Sequence, residues 1–181
     1  MSARDTERSG GSPLRAVIRT PHALLLLGSA LVGRLPTAMA ALAIVQLVRL
    51  DGGDFALAGF MTAVYIVAGG VGQPLLSRLV DRRGRTGVLV ASALVSTLAF
   101  VAIATAATAV PLLAAAGAAA AGFFGPPLEP SLRALWPRIV PEGAPLKAAF
   151  SLDAGAQEIL FIVGPLLTVG GIAAFLSLIH I

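Results

Sequence analysis

The stretch Ser77-Arg-Leu-Val-Asp-Arg-Arg-Gly-Arg-Thr86 places five charges within eight residues, between two long apolar runs. Its charges stand out because the rest of the chain carries so few. Only 12% of the 181 residues are charged, 57% are hydrophobic, and the mean hydropathy is +0.90. A soluble domain of this size carries about 25% charged residues. Apolar runs near 20 residues can cross a bilayer core of about 30 Å. Inside that core each segment must satisfy its own backbone, as a helix or in a closed barrel. The runs here are rich in Ala and Leu and do not alternate with polar residues, so they predict helices. The stretch reads as a hydrophilic connection between two membrane helices, and the fold class as all-α, a polytopic membrane helix bundle.

Working outward, five spans are expected over residues 23–48, 55–76, 88–107, 111–135 and 148–174. Residues 1–21 are polar and read as a mobile cytoplasmic tail. Two glycines and two acids break the chain between Arg49 and Asp54, and a nearly uncharged link joins Ala107 to Pro111. Three prolines between Trp136 and Pro145 cannot continue a helix. The basic tail, the run from Ala23 to Gly33 and Ala38-Met-Ala40 mimic a cleavable signal peptide. Apolar sequence continues to Val48, which suits a full span better.

The basic residues orient the bundle. Arg4, Arg8, Arg15 and Arg19 lie in the tail, Arg78, Arg82, Arg83 and Arg85 in the opening stretch, and Arg133, Arg138 and Lys147 around the fourth connection. Eleven of the thirteen therefore fall on one side, leaving Arg49 opposite and Arg34 inside a span. Short loops rich in Lys and Arg stay in the cytoplasm, so a cytoplasmic N-terminus and a multi-pass position in the cell membrane are expected.

Several function classes are disfavoured. The net charge of +4 invites nucleic acid, but no aromatic residues interleave with the arginines to stack on bases. No cysteine is present, and the two histidines, His22 and His180, sit at opposite ends. No catalytic constellation, metal site or cofactor site is therefore expected. Gly69-Gly-Val-Gly72 lacks the Gly-Lys-Ser/Thr of a phosphate loop. With the small residues from Ala114 to Gly122, it reads as a surface for close helix packing.

The chemistry is sought in charges at membrane depth, each costing at least about 2.5–3.5 kcal/mol to insert unless it has a partner or a wet cavity. Arg34 lies about 17 Å into the first span and Glu158 about 15 Å into the fifth, from the same side. They are expected to face one interior and pair, either as a static clamp between helices or as part of a substrate or proton path. Glu129 and Arg133, four apart with the acid first, share a helix face, and Gly125-Pro-Pro127 just before them should kink the fourth span. Asp153 could neighbour this pair or complement a helix N-terminus.

Together these features resemble the major facilitator superfamily, and more closely its actinobacterial members. The family's loop between helices two and three reads Gly-x-x-x-Asp-Arg/Lys-x-Gly-Arg/Lys-Arg/Lys. Here Asp81, Arg82, Gly84 and Arg85 match, while Ser77 replaces the first glycine and Thr86 the last basic residue. Arg34-Leu-Pro36, Arg133 to Pro137 and Gln157-Glu158 followed by Gly164-Pro165 extend the likeness from about residue 25 to 174. Helix five of the drug antiporters has Gly-Pro-x-x-Gly-Gly; Gly170-Gly171 comes two residues too late for it.

The resemblance implies five helices of a six-helix N-terminal half, over 22–175. It implies a secondary transporter of a small solute working by alternating access, with proton-coupled efflux of a drug or metabolite the favoured mode. Asp81 would be a docking acid for a helix of the other half, Gly84 the turn residue and Arg85 a charge partner. Arg34, Glu158, Glu129 and Arg133 would line the substrate and proton pathway. Glu158 is the first candidate for the titrating group and Glu129 the second, since desolvation favours a neutral carboxyl. The partners implied are a small solute, protons, the lipid bilayer and a C-terminal half. Residues 176–181 read as a non-native end, which marks the chain as a fragment. A membrane-embedded enzyme and a non-transporting scaffold are the alternatives, the former lacking a nucleophile–base pair.

Overall fold

The computed structural model describes residues 12–106 and 108–179, with side chains as far as 174. Arg4, Arg8 and His180, used in the reading above, lie outside the described residues. The described chain is helical, without strands: α1 (Pro13–Arg19), α2 (Ala23–Leu50), α3 (Phe55–Arg83), α4 (Arg85–Ala106), α5 (Pro111–Phe123), α6 (Leu128–Arg133), α7 (Trp136–Ile139) and α8 (Ala144–Ile179). Five segments are long and apolar enough to cross a membrane: α2, α3, α4, the run Pro111–Ile139, and Ala144–Ala174 of α8.

The ends of these helices follow from local chemistry. Asp54 caps α3, its carboxylate accepting the Leu57 N–H at 2.7 Å. Pro111 opens α5, where its missing N–H costs no hydrogen bond. At the end away from the arginine-rich turns, Asp51 accepts hydrogen bonds from the backbone N–H and the hydroxyl of Thr108, tying the α2–α3 and α4–α5 connections together.

Three expectations need correction. Ser77 to Thr86 is not a loop: α3 continues through Arg83, and α4 begins at Arg85. Arg and Leu favour helix, and the Ser77 hydroxyl bonds back to the Gln73 carbonyl at 2.8 Å without breaking the turn. Gly84 alone departs, at φ 89, a conformation that L side chains rarely adopt. The last part of the tail is not mobile either. Residues 13–19 form α1, and Val17 is fully buried with Ala23, Leu27, Trp136 and Ala149. The fourth span is broken rather than kinked, because Pro126 and Pro127 separate α5 from α6. The fifth span starts earlier than expected, since α8 begins at Ala144, and its backbone is helical to Ile179; residues 180 and 181 of the end read as non-native lie outside the described residues.

Packing uses two devices. At the α3–α5 seam the backbones touch: a Cβ on Gly72 would meet the Phe123 carbonyl oxygen, and one on Gly122 that of Tyr65, both at 2.1 Å. Small residues allow this approach, as the sequence suggested. Ala40, Ile44, Met61, Tyr65, Ile103 and Ala118 fill the bundle beyond it, at the end away from the arginine-rich turns. At the opposite end Trp136, Leu132 and Val17 anchor a second cluster. Large apolar side chains cover the outside, with Leu25 69% and Leu98 68% exposed. Such a surface fits acyl chains as solvent.

Candidate functional site

Between the two clusters lies a cavity of about 630 Å³, bounded by α2, α3, the α5–α6 break and α8. The break is stabilised locally. The carbonyl of Gly125, which the prolines leave outside any helix, accepts the side-chain amide of Gln73 at 2.9 Å. Irregular backbone at membrane depth is tolerated where protein or a cavity satisfies it in this way. The short α6 that follows carries Glu129 in its first turn and Arg133 in its last, each at the end its charge favours.

Arg34 projects from α2 to this cavity and is only 6% exposed. Its Nη1 donates to Asp153 Oδ1 at 3.0 Å and to Gln157 Oε1 at 2.8 Å, both on α8. Asp153 is 1% exposed, and its second oxygen lies 3.7 Å from Arg133 Nε. Arg133 Nη2 in turn reaches Glu129 Oε1 at 3.0 Å. The result is an alternating run, Arg34–Asp153–Arg133–Glu129, which is neutral when all four are ionised. It passes from a buried pair to a half-exposed one. A buried pair of this kind is costly to break on one side, about 3–5 kcal/mol, because the survivor is left uncompensated.

Arg34 and Glu129 line this cavity and Arg133 is joined to Glu129, but the expected pairing of Arg34 with Glu158 does not occur. Glu158 is exposed, and the partners are Asp153 and Gln157. Because α8 starts at Ala144 rather than near 148, Glu158 lies about 21 Å along it, against about 14 Å for Asp153 and about 17 Å for Arg34 along α2. Asp153 and Gln157 are four apart and share a face; Glu158 is turned off it by about 100° from Gln157. The signal that could have found Asp153 was this i, i+4 polar pair, with the helix start pushed back towards Gly143.

Asp81, Arg82, Gly84 and Arg85 are not part of this cavity; they cluster at the α3–α4 turn. Asp81 is exposed, and no ion pair involves it among the described residues. It sits in the last turn of α3, where the helix dipole disfavours an acid and favours the adjoining Arg82 and Arg83. A second cavity, of about 670 Å³, opens at the other end between α2, α4 and α8. Its lining, including Ile44, Phe100 and Leu167, is almost wholly apolar, and the Thr168 hydroxyl there bonds to the Gly164 carbonyl. Nothing in it can orient a polar ligand. Among the described residues no cluster of three His, Cys, Asp or Glu could hold a metal ion.

Five apolar segments, one of them broken by prolines, define a multi-pass membrane protein with a buried ion pair beside one of its cavities. The family model of the Major Facilitator Superfamily matches residues 26–178, and the chain belongs to that superfamily. No curated protein and no solved structure matches the chain. Membership makes it a membrane transporter by class, with a small molecule as its substrate.

Proposed function

We propose that this chain supplies the solute-binding wall of a secondary transporter that works by alternating access in the cell membrane. The N-terminus lies in the cytoplasm, the energy comes from protons, and the direction is efflux. The observation that carries the reading is the buried Arg34–Asp153 pair beside a cavity of about 630 Å³. A charge pair at this depth, next to a helix broken by two prolines, is where transporters place solute and coupling ion. Glu129, half exposed at the cavity wall, is the proton's first acceptor, and Asp153, two steps along the charge run, is the buried one. This assignment moves the coupling role from Glu158 to Asp153. The second wall of the cavity comes from a further set of helices, the C-terminal half, against which Asp81 docks as a latch.

The test uses the protein expressed from its native reading frame and reconstituted in vesicles containing a pH-sensitive dye. Vesicles given gradients of a panel of amphiphilic solutes should show solute-dependent proton movement. Glu129→Gln should weaken that movement and Asp153→Asn abolish it, with solute exchange at equal pH retained. Proton movement unchanged in both variants would remove the coupling assignment. For the latch, Asp81→Asn with normal membrane level and unaltered transport would remove the docking role.

A further inference from the structure

The charge run also indicates which class of solute the cavity takes, an inference that rests on reading it as a solute site. Arg34 uses only Nη1 for its two protein hydrogen bonds. Its Nε and Nη2 are buried and have no hydrogen-bond partner. These two nitrogens form one edge of the guanidinium, the fork that matches a carboxylate or phosphate with two parallel N–H···O bonds. Leaving two charged N–H groups buried and unpaired is costly, so a resident acceptor for that edge gains more than it would at a solvated arginine.

The other cavity groups agree in polarity. The Gln157 carbonyl oxygen is occupied by Arg34, which leaves its amide N–H groups to donate. Gln157, Thr37 and Tyr65 all line the same cavity. Of the two acids, Asp153 does not line the cavity, and Glu129, which does, is paired with Arg133. The remaining wall includes Ile66, Leu128 and Phe161, which suit an apolar body. The volume lies in the range of pockets for drug-sized ligands, about 300–1,000 Å³.

We propose that the cavity binds an organic anion, an oxyanion head on an apolar body, with the head taken by the Nε–Nη2 edge of Arg34 and the Gln157 amide. Both nitrogens are covered as the side chain stands, so uptake turns the distal bonds of Arg34 towards the cavity and loosens its bond to Gln157. Asp153, 3.0 Å from Nη1, is then a like charge held on the same guanidinium as the bound head. Neutralising it favours the anion, which couples solute binding to protonation of the same acid.

Three probes sharing one body separate the alternatives: 2-naphthoate, 2-naphthamide and 2-naphthylmethylammonium, titrated calorimetrically into the purified protein in detergent. Naphthoate should bind about tenfold or more tightly than the amide, and Arg34→Lys, which keeps the charge but lacks the fork, should reduce it to the amide's level. Asp153→Asn should raise naphthoate affinity. If Arg34→Lys does not fold, the double variant Arg34→Gln/Asp153→Asn removes both charges together and should show the same loss of naphthoate preference. Naphthoate binding unchanged in the Arg34 variants overturns the proposal. If the amide or the cation binds at least as tightly as naphthoate, the cavity remains a solute site but the anion assignment falls. If none of the three binds, both fall.

Discussion

The α3–α5 seam and the α2–α8 seam hold the same bundle together by opposite means. Along α3–α5 the helices meet backbone to backbone through Gly72 and Gly122. Along α2–α8 there is one comparable contact, where a Cβ on Gly164 would meet Ala38 at 2.9 Å. About one to three turns towards the N-terminus of each helix, the seam opens around Arg34, Asp153 and Gln157. In lipid, where hydrophobic burial drives little helix association, the first seam relies on packing and the second on charge. A packed seam has one good arrangement. A charged seam beside a cavity has several, because side chains can exchange partners with water or solute, and that makes it the place for chemistry.

The sharpest way to break this contrast is to remove one charge. Arg34→Ala should cost about 3–5 kcal/mol, because Asp153 is left buried without its main partner. Arg34→Met combined with Asp153→Leu should recover most of that loss, as apolar pairs commonly replace buried ion pairs without penalty. Thermal unfolding in detergent reads both, and equal losses in the single and double variants would mean the two residues do not act as a pair.

The packed seam should respond to volume instead. Gly122→Ala puts a methyl group against the Tyr65 carbonyl, so a helix must shift, at about 1–3 kcal/mol. Gly70→Ala, two residues before Gly72, meets nothing within 4 Å. It should be neutral or stabilising by up to about 1 kcal/mol through helix propensity. Equal effects at the two glycines would show that the seam is not tightly packed.

The smallest effect belongs to the Asp51–Thr108 tie, which is exposed and lies outside both seams. The Thr108 hydroxyl, and then its backbone N–H, hold the Asp51 carboxyl below its ordinary value of 3.8. A carboxyl depressed by folding stabilises the fold above its unfolded pKa, and that contribution is lost as pH falls through the folded one. Melting temperatures followed downward from about pH 5 should therefore show a small fall that Asp51→Asn removes. An identical pH profile in the variant would show that the tie contributes nothing to stability.

Much of the fold was legible in one dimension. Hydropathy marked five spans because insertion sums the character of neighbouring residues along the chain. The glycines of α3 and α5 announced close packing, and the spacing of Glu129 and Arg133 announced their ion pair. Arg34 stood out because a lone cation in an apolar run requires an explanation. Less legible were the ends of helices. Charges at the membrane boundary mark where lipid stops and not where helix stops, so α3 runs on to Arg83 and α8 begins at Ala144. Val17 looked like part of a polar tail because the surface that buries it comes from residues as distant as Trp136 and Ala149.

Residue order alone establishes a helical membrane protein, basic residues gathered in alternate connections, and an Arg34 that needs a partner. That the partner is Asp153 came from the packing of α8 on α2. Arg34 and Asp153 are 119 residues apart, and each residue turns its side chain by about 100° around a helix axis. A shift of one position along α8 therefore decides whether an acid meets Arg34 or faces away from it. That choice depends on where α8 starts and how it packs against α2, and neither is written in the local pattern.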